Sequence, residues 1–210
     1  KAVDEAREVI AAELGVQAGD VVFTGGGTES DNYAISGSVR ARGGTAVCSA
    51  VEHHAVLDPV EHHAGRTVAV NADARIDVDD LRCVLNSMSS VGQEVAVVSV
   101  MAVNNEVGSC NDIAEVASVV RAHAPNAWLH TDAVQAACWI DLSELTQHVD
   151  LLSLSAHKFG GPKGVGVMVV SNGVTPEPLM RGGGQERGRR SGTIDVAGAV
   201  GTATALHITG

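Results

Sequence analysis

The sequence predicts an α/β fold, a three-layer αβα sandwich with a mostly parallel sheet, on three observations. Short β-branched runs alternate with stretches of helical periodicity along all 210 residues, the pattern of repeated βαβ units. One run, "EVAVVSVMAV" from Glu94 to Val103, is apolar almost without interruption, as strands buried on both faces of a parallel sheet are. Apolar residues make up 45% of the chain and aromatic ones only 2%, so the core between the layers is built of Ala, Val, Leu and Ile.

Each element follows in order. Val3 to Leu14 reads as an amphipathic helix closed by Gly15, and Asp20 to Thr24 as a short strand. "GGGTESDNYAISGSVRAR", Gly25 to Arg42, is a glycine turn opening a helix. "TAVCSAVE" (Thr45 to Glu52) is a strand, followed by a helical "AVLDPVEHHAG" and a third strand, "RTVAVNA". "DVDDLRCVLNSM" has the acidic first turn of a helix N-terminus. After the long apolar strand comes the helix "DIAEVASVVRAHA", then the strands "AWLHTDA", "VDLLSLSA" and "GVGVMVV", a glycine-rich loop, and the helix "VAGAVGTATAL". No repeat, linker or low-complexity segment divides the chain, so one domain is expected over 1–210. Both ends read as cut: Lys1 enters a helix already under way, and Gly210 comes just past one.

Composition excludes several functions. A net charge of −11 with no basic stripe argues against nucleic acid as a partner. The one basic cluster, Arg181 to Arg190, is local and carries its own glutamate. The opening residues lack a signal-peptide apolar region, and no apolar run reaches the length of a membrane span, so no membrane partner is expected. Cys48, Cys83, Cys110 and Cys138 are scattered without a C-x-x-C pair, which suits a reducing cytoplasm.

In open α/β sheets ligands bind beyond the carboxyl ends of the strands, and the chemically suggestive residues collect there. "GGGTES" follows a strand and opens a helix: it is either a phosphate cradle or a tight turn with Thr28 or Ser30 as helix cap. It lacks the G-K-[ST] of a P-loop. "LHTDAVQA" ends a strand on Asp132, either a functional acid or a cap, with Gln135 behind it. "VNNEVG" offers Asn104, Asn105 and Glu106 or is an ordinary turn. "EHHAV" and "EHH" invite a metal. On one continuous helix, however, His53 and His62 would fall on opposite sides, and no metal site is expected. His53 at its strand end is better placed to stack on a ring.

"SLSAHKFGGPKG", Ser153 to Gly164, sets Lys158 between an apolar strand and a glycine-rich turn. A dry pocket there would disfavour its ammonium form and free the amine for a Schiff base. Pyridoxal 5'-phosphate needs an amine, an acid for its ring nitrogen, donors for its phosphate and a ring stacker. Lys158, Asp132, Thr28 with its turn amides, and His53 supply these from four strand ends.

Taken together, "FTGGGTESDN", "VEHHAVLD", "VNNEVG", "HTDAVQA", "SLSAHKFGGPKGVG" and "GGGQERGRRSGT" resemble, in content and order, the cysteine desulfurases of the NifS/IscS type. These are class V aminotransferase-group, fold-type-I pyridoxal-phosphate enzymes. The resemblance covers essentially the whole chain and implies the large cofactor-binding domain, without the family's N-terminal segment and C-terminal small domain. It implies that Lys158 binds the cofactor and moves the substrate's Cα proton, that Asp132 pairs with the ring nitrogen and that His53 stacks on the ring. Gln135 and Asn105 would meet the phenolic oxygen's edge. Gly27, Thr28, Ser155 and His157 would hold the phosphate, and Thr193 would reach the phosphate of the partner subunit in a homodimer. The implied reaction converts L-cysteine to L-alanine, with sulfur passed through an enzyme persulfide to an acceptor such as an iron–sulfur scaffold. None of the four cysteines matches the family's sulfur-accepting one; Cys110 reads as a loop residue. A selenocysteine or cysteine sulfinate lyase of the same family is the alternative, or a cofactor-binding fragment without turnover.

Overall fold

The computed structural model describes residues 1–209. Seven strands form one sheet: β1 (Val21–Thr24), β2 (Thr45–Ser49), β3 (Arg66–Val68), β4 (Val95–Ser99), β5 (Trp128–Asp132), β6 (Leu151–Ser155) and β7 (Gly166–Val170), in the order β1-β7-β6-β5-β4-β2-β3. The pairs β2–β3, β2–β4, β4–β5 and β5–β6 are parallel. Only β7 runs the other way, antiparallel to both β1 and β6. The carboxyl ends of the six co-directional strands therefore share one edge of the sheet, and the start of β7 joins them there.

Seven α-helices accompany the sheet: α1 (Ala2–Glu13), α2 (Gly27–Arg42), α3 (His54–His62), α4 (Val78–Ser90), α5 (Ile113–His123), the single turn α6 (Leu142–Leu145) and α7 (Val196–Thr209). Side chains alternate across each strand, and two apolar layers result. On one face Val21, Val47, Val98, Leu129, Leu152 and Val167 pack against α1, α4, α5 and α7 in the larger core. On the other, Val22, Ala46, Val97, Trp128, Leu151 and Met168 pack under α2 and α3. This is the expected three-layer sandwich.

Capping acids set the starts of α4, α5 and α6. Asp77 accepts the Asp79 and Asp80 N–H groups at 3.0 and 3.1 Å, and Asp112 accepts the Glu115 N–H at 2.9 Å. In α3, Pro59 has no N–H to give the Ala55 carbonyl. Asn32 Nδ2 of α2 approaches that oxygen instead, at 3.4 Å, and ties the two helices together. The strand expected to run to Val103 ends as a ladder at Ser99. Val100 and Ala102 N–H nevertheless still donate to the His130 and Asp132 carbonyls, at 3.1 and 2.9 Å.

Candidate active site

A cavity of about 390 Å³ opens at the shared strand edge, within the size range of small-molecule sites. Each of its walls is the segment that follows a strand. After β1 come Gly25 to Glu29; after β2, His53; after β4, Met101, Val103 and Asn105; after β5, Asp132, Val134 and Gln135; after β6, Ser155, His157 and Lys158. Nine of the ten residues singled out from the sequence meet here. Thr193 does not: it is exposed, in the loop before α7, and lines no part of this cavity.

The first wall is an open helix N-terminus. Gly26 stands at the N-cap of α2 without a side-chain cap, so neither Thr28 nor Ser30 plays the capping role the sequence allowed. Ser30 Oγ turns inward to Thr24 Oγ1 at 2.8 Å because β1 runs beneath it. The first α2 bond, Ser30 N–H to Gly26 carbonyl at 3.1 Å, leaves the N–H groups of Gly27, Thr28 and Glu29 ahead of the helical ladder. Glu29 closes the turn from outside, accepting Gly25 N–H at 2.8 Å and pairing with Arg190 at 2.8 and 3.1 Å. Across the cavity Ser155 Oγ and His157 Nδ1 lie 3.0 Å apart.

Asp132 is 5% exposed. One oxygen accepts Val134 N–H at 2.8 Å, so the capping role is real, though a turn rather than a helix follows. Burial raises its carboxyl above the ordinary range, while the Val134 N–H, His53 and Lys158 pull it back towards the ionised form. His53 caps α3, its Nδ1 accepting Ala55 N–H at 3.0 Å. That bond places the proton of the neutral ring on Nε2. One helix, α3, links the two His pairs, with His53 and His63 as its caps; the rings do not converge, since His63 meets Ser36 Oγ at 3.0 Å and His54 meets Asp58 at 3.1 Å.

Lys158 corrects one expectation. It lies in a short 3₁₀ turn, Ala156–Phe159, and lines the cavity, but it is exposed at the rim rather than enclosed in a dry pocket. The turn ends on Gly160 at φ +83°, where a left-handed residue swings the chain back towards β7. Asn104 proves to be the turn-former of "VNNEVG": its Oδ1 accepts Glu106 and Val107 N–H at 2.9 and 3.0 Å, which leaves Asn105 on the cavity wall. The four cysteines are free, and none lines the cavity.

Sequence reasoning passed over two buried acids at the floor, Asp31 and Glu52. Asp31 lines the cavity and lies four residues after Gly27, hence on the same face of α2; that spacing was readable. Glu52 donates nothing to the lining but accepts Met101 N–H at 2.7 Å from beneath. Burial raises both carboxyls well above the ordinary range.

The chain matches the family described as aminotransferase class-V over residues 1–209. It is 44% identical over 218 residues to an IscS-like cysteine desulfurase of Mycobacterium tuberculosis, covering 98% of this chain and 54% of that protein. It is 40% identical over 216 residues to a putative cysteine desulfurase IscS 1 of Bacillus subtilis, covering 99% and 55%. Among solved structures, a NifS-like protein superposes with a TM-score of 0.90 at 36% identity, covering 99% of this chain and 57% of that one. SspA in complex with cysteine superposes at 0.86 and 32%, covering 98% and 60%. The chain spans about half the length of the curated relatives it matches. With sequence, sheet and strand-edge cavity in agreement, the chain belongs to the class-V aminotransferase family.

Proposed function

We propose that this chain is the large, pyridoxal-phosphate-binding domain, residues 1–210, of a cysteine desulfurase. The observation that carries the reading is the meeting of Lys158, Asp132, His53 and the uncapped α2 N-terminus at one cavity. The residues fit the cofactor. A Cβ at Gly27 would stand 2.8 Å from Val134 Cγ2 and 3.3 Å from Ser155 Cβ, so glycine there keeps open the floor in front of three unpaired N–H groups, a natural phosphate seat.

When bound, pyridoxal phosphate supplies an electron sink for the substrate's Cα. The chain's residues do the rest. Lys158 Nζ provides the amine that holds the cofactor's aldehyde carbon and then the base that moves the Cα proton. Asp132 provides the anion for the ring nitrogen. His53 lies against the ring with its Nε2–H available as a donor, and Gln135 and Asn105 orient the phenolic edge. Gly27, Thr28, Ser155 and His157 hold the phosphate. Exposed Thr193 serves the phosphate of the other protomer in a homodimer, and Arg190, clamped to Glu29, fixes its loop beside the phosphate turn.

The overall change is L-cysteine plus a thiol giving L-alanine plus a persulfide: the C–S bond breaks, an S–S bond forms, and the thiol's proton ends on alanine's methyl group. No outside oxidant is needed. The relatives' names and the cysteine complex of one neighbour favour L-cysteine as substrate. A sulfur-acceptor protein such as an iron–sulfur scaffold is the proposed recipient. Free thiols at Cys48, Cys83, Cys110 and Cys138 favour the cytoplasm. No helix among the described residues is long and apolar enough to cross a membrane. Borohydride reduction of the cofactor-loaded protein followed by peptide mapping tests the site. Label on Lys158 is expected; label on Lys163 instead, or none, would contradict it.

A further inference from the structure

Under the cavity floor lies a polar cluster to which the proposed reaction gives no task. Asp31 is 1% exposed, lines the cavity, and has an Oδ1 without any hydrogen-bond partner among the described residues. His130 Nε2 is 3.7 Å from that oxygen, but both ring nitrogens are engaged elsewhere. Ser99 Oγ is 2.8 Å from Nδ1 and Ser153 Oγ 2.9 Å from Nε2. A fully buried ring so occupied stays neutral and brings no cation to the floor.

Two more carboxyls lie near Asp31: Asp132 lines the same cavity, and Glu52 sits behind Met101, another lining residue. Glu52, 5% exposed, has one oxygen on Met101 N–H and the other without a partner. Asp132 has the Val134 N–H, and its cationic neighbour Lys158 acts on it from the rim. Buried carboxyls that each raise the others' pKa hold one negative charge more readily than two or three. Of the three, Asp132 alone has both an N–H donor and a neighbouring cation.

We propose that Asp31 is a positioning residue for Asp132: a neutral carboxylic acid whose O–H donates within the floor and leaves the negative charge on Asp132. Burial, then the Asp132 charge, raise the Asp31 carboxyl well above its ordinary range; the Ser153 hydroxyl lowers it in part and Glu52 raises it again. The link to catalysis rests on the reading of this cavity as a pyridoxal-phosphate site, where a neutral Asp132 would not keep the ring nitrogen protonated. Asn is the natural mimic, because its amide is neutral, similar in shape and a donor.

The test begins without cofactor. Infrared spectra of the full-length apoprotein at neutral pH, with isotope-labelled aspartate to separate Asp from Glu52, should contain a protonated-carboxyl C=O stretch of aspartate that vanishes in Asp31→Asn. No such band, or one that persists in Asp31→Asn because Asp132 carries the proton, overturns the proposal. The second arm is pyridoxal-phosphate affinity. Asp31→Asn should bind within about twofold of wild type and Asp31→Ala about tenfold more weakly, the scale of a lost buried hydrogen bond. Asp31→Ala equal to wild type, or Asp31→Asn as weak as Asp31→Ala, overturns it too. Should wild type take up no pyridoxal phosphate, the functional reading falls while the infrared arm still decides the state of Asp31.

Discussion

Asp132 and His130 alternate with Leu129 and Thr131 along β5, so both turn towards α2, yet they do different work. Asp132 sits where the strand meets the cavity. Replacing it by alanine should leave Lys158 able to hold the cofactor but cut alanine formation by about a hundredfold or more, the scale of losing a preorganised partner of developing charge. An Asp132→Ala protein with wild-type turnover would exclude that role. His130 lies deeper, and burial lowers its pKa from 6.5 to about 3. Between those values the unfolded chain binds a proton that the folded one does not, so His130 makes stability rise with pH, and this contribution is lost as pH falls below 6.5. His130→Asn should therefore flatten the acid limb of a stability-versus-pH curve by up to about 1.4 kcal/mol per pH unit, one proton's worth. Denaturant titrations across that range measure the slope independently of any overall loss of stability. An unchanged slope would mean that the ring protonates in the folded state.

At the scale of elements, two contacts fix segments around the cavity. Gly166 opens β7 directly under the phosphate turn, and a Cβ there would fall 2.6 Å from the Gly26 carbonyl carbon and 2.7 Å from its Cα. Gly166→Ala must push Gly25 to Gly27 outward, and should weaken pyridoxal-phosphate binding by about tenfold or more; a fluorescence titration reads this. The second contact ties the loop before α7 to α1 and β1. Arg7 of α1 donates to Glu186 at 2.6 and 2.9 Å and to the Val21 carbonyl at 2.5 Å, and Glu186 also accepts Phe23 N–H at 2.9 Å. Glu186 and Arg187 have φ of +49° and +58°, a left-handed pair that non-glycine residues adopt only when surrounding contacts compel it. Arg7→Ala leaves the Glu186 carboxylate buried and unpaired, and should cost about 3–5 kcal/mol, measured by urea unfolding. None of this is visible in "GGGQERGRR", because the arginine that compels the turn stands near the other end of the chain.

At the scale of the whole molecule, the alternation of apolar runs and helical stretches was enough to give the sandwich, since each layer follows from local periodicity. Strand order and direction were less accessible. "GVGVMVV" reads like any buried parallel strand, yet β7 is reversed. The physical reason is length: the stretch from Ala156 to Val165 is shorter than the crossover of about a dozen residues or more that a parallel return requires. The site divided in the same way. Asp132, which ends β5, and Lys158, just past β6, were legible as cavity residues because open α/β sheets bind ligands at strand ends. Asp31 and Glu52 were not, because their meaning comes from burial beneath the cavity, which depends on how α2 settles on the sheet. Lys158 was placed correctly but its exposure was not, since enclosure depends on what surrounds a turn rather than on the turn's own residues.

A cysteine-desulfurising centre built on Lys158 must release alanine from L-cysteine in the full-length protein, and that alanine is measured with pyridoxal phosphate and a thiol reductant present. Alanine well above the level given by Lys158→Ala is the predicted result. Equal alanine from both proteins, or none from a wild type that binds the cofactor normally, would contradict it.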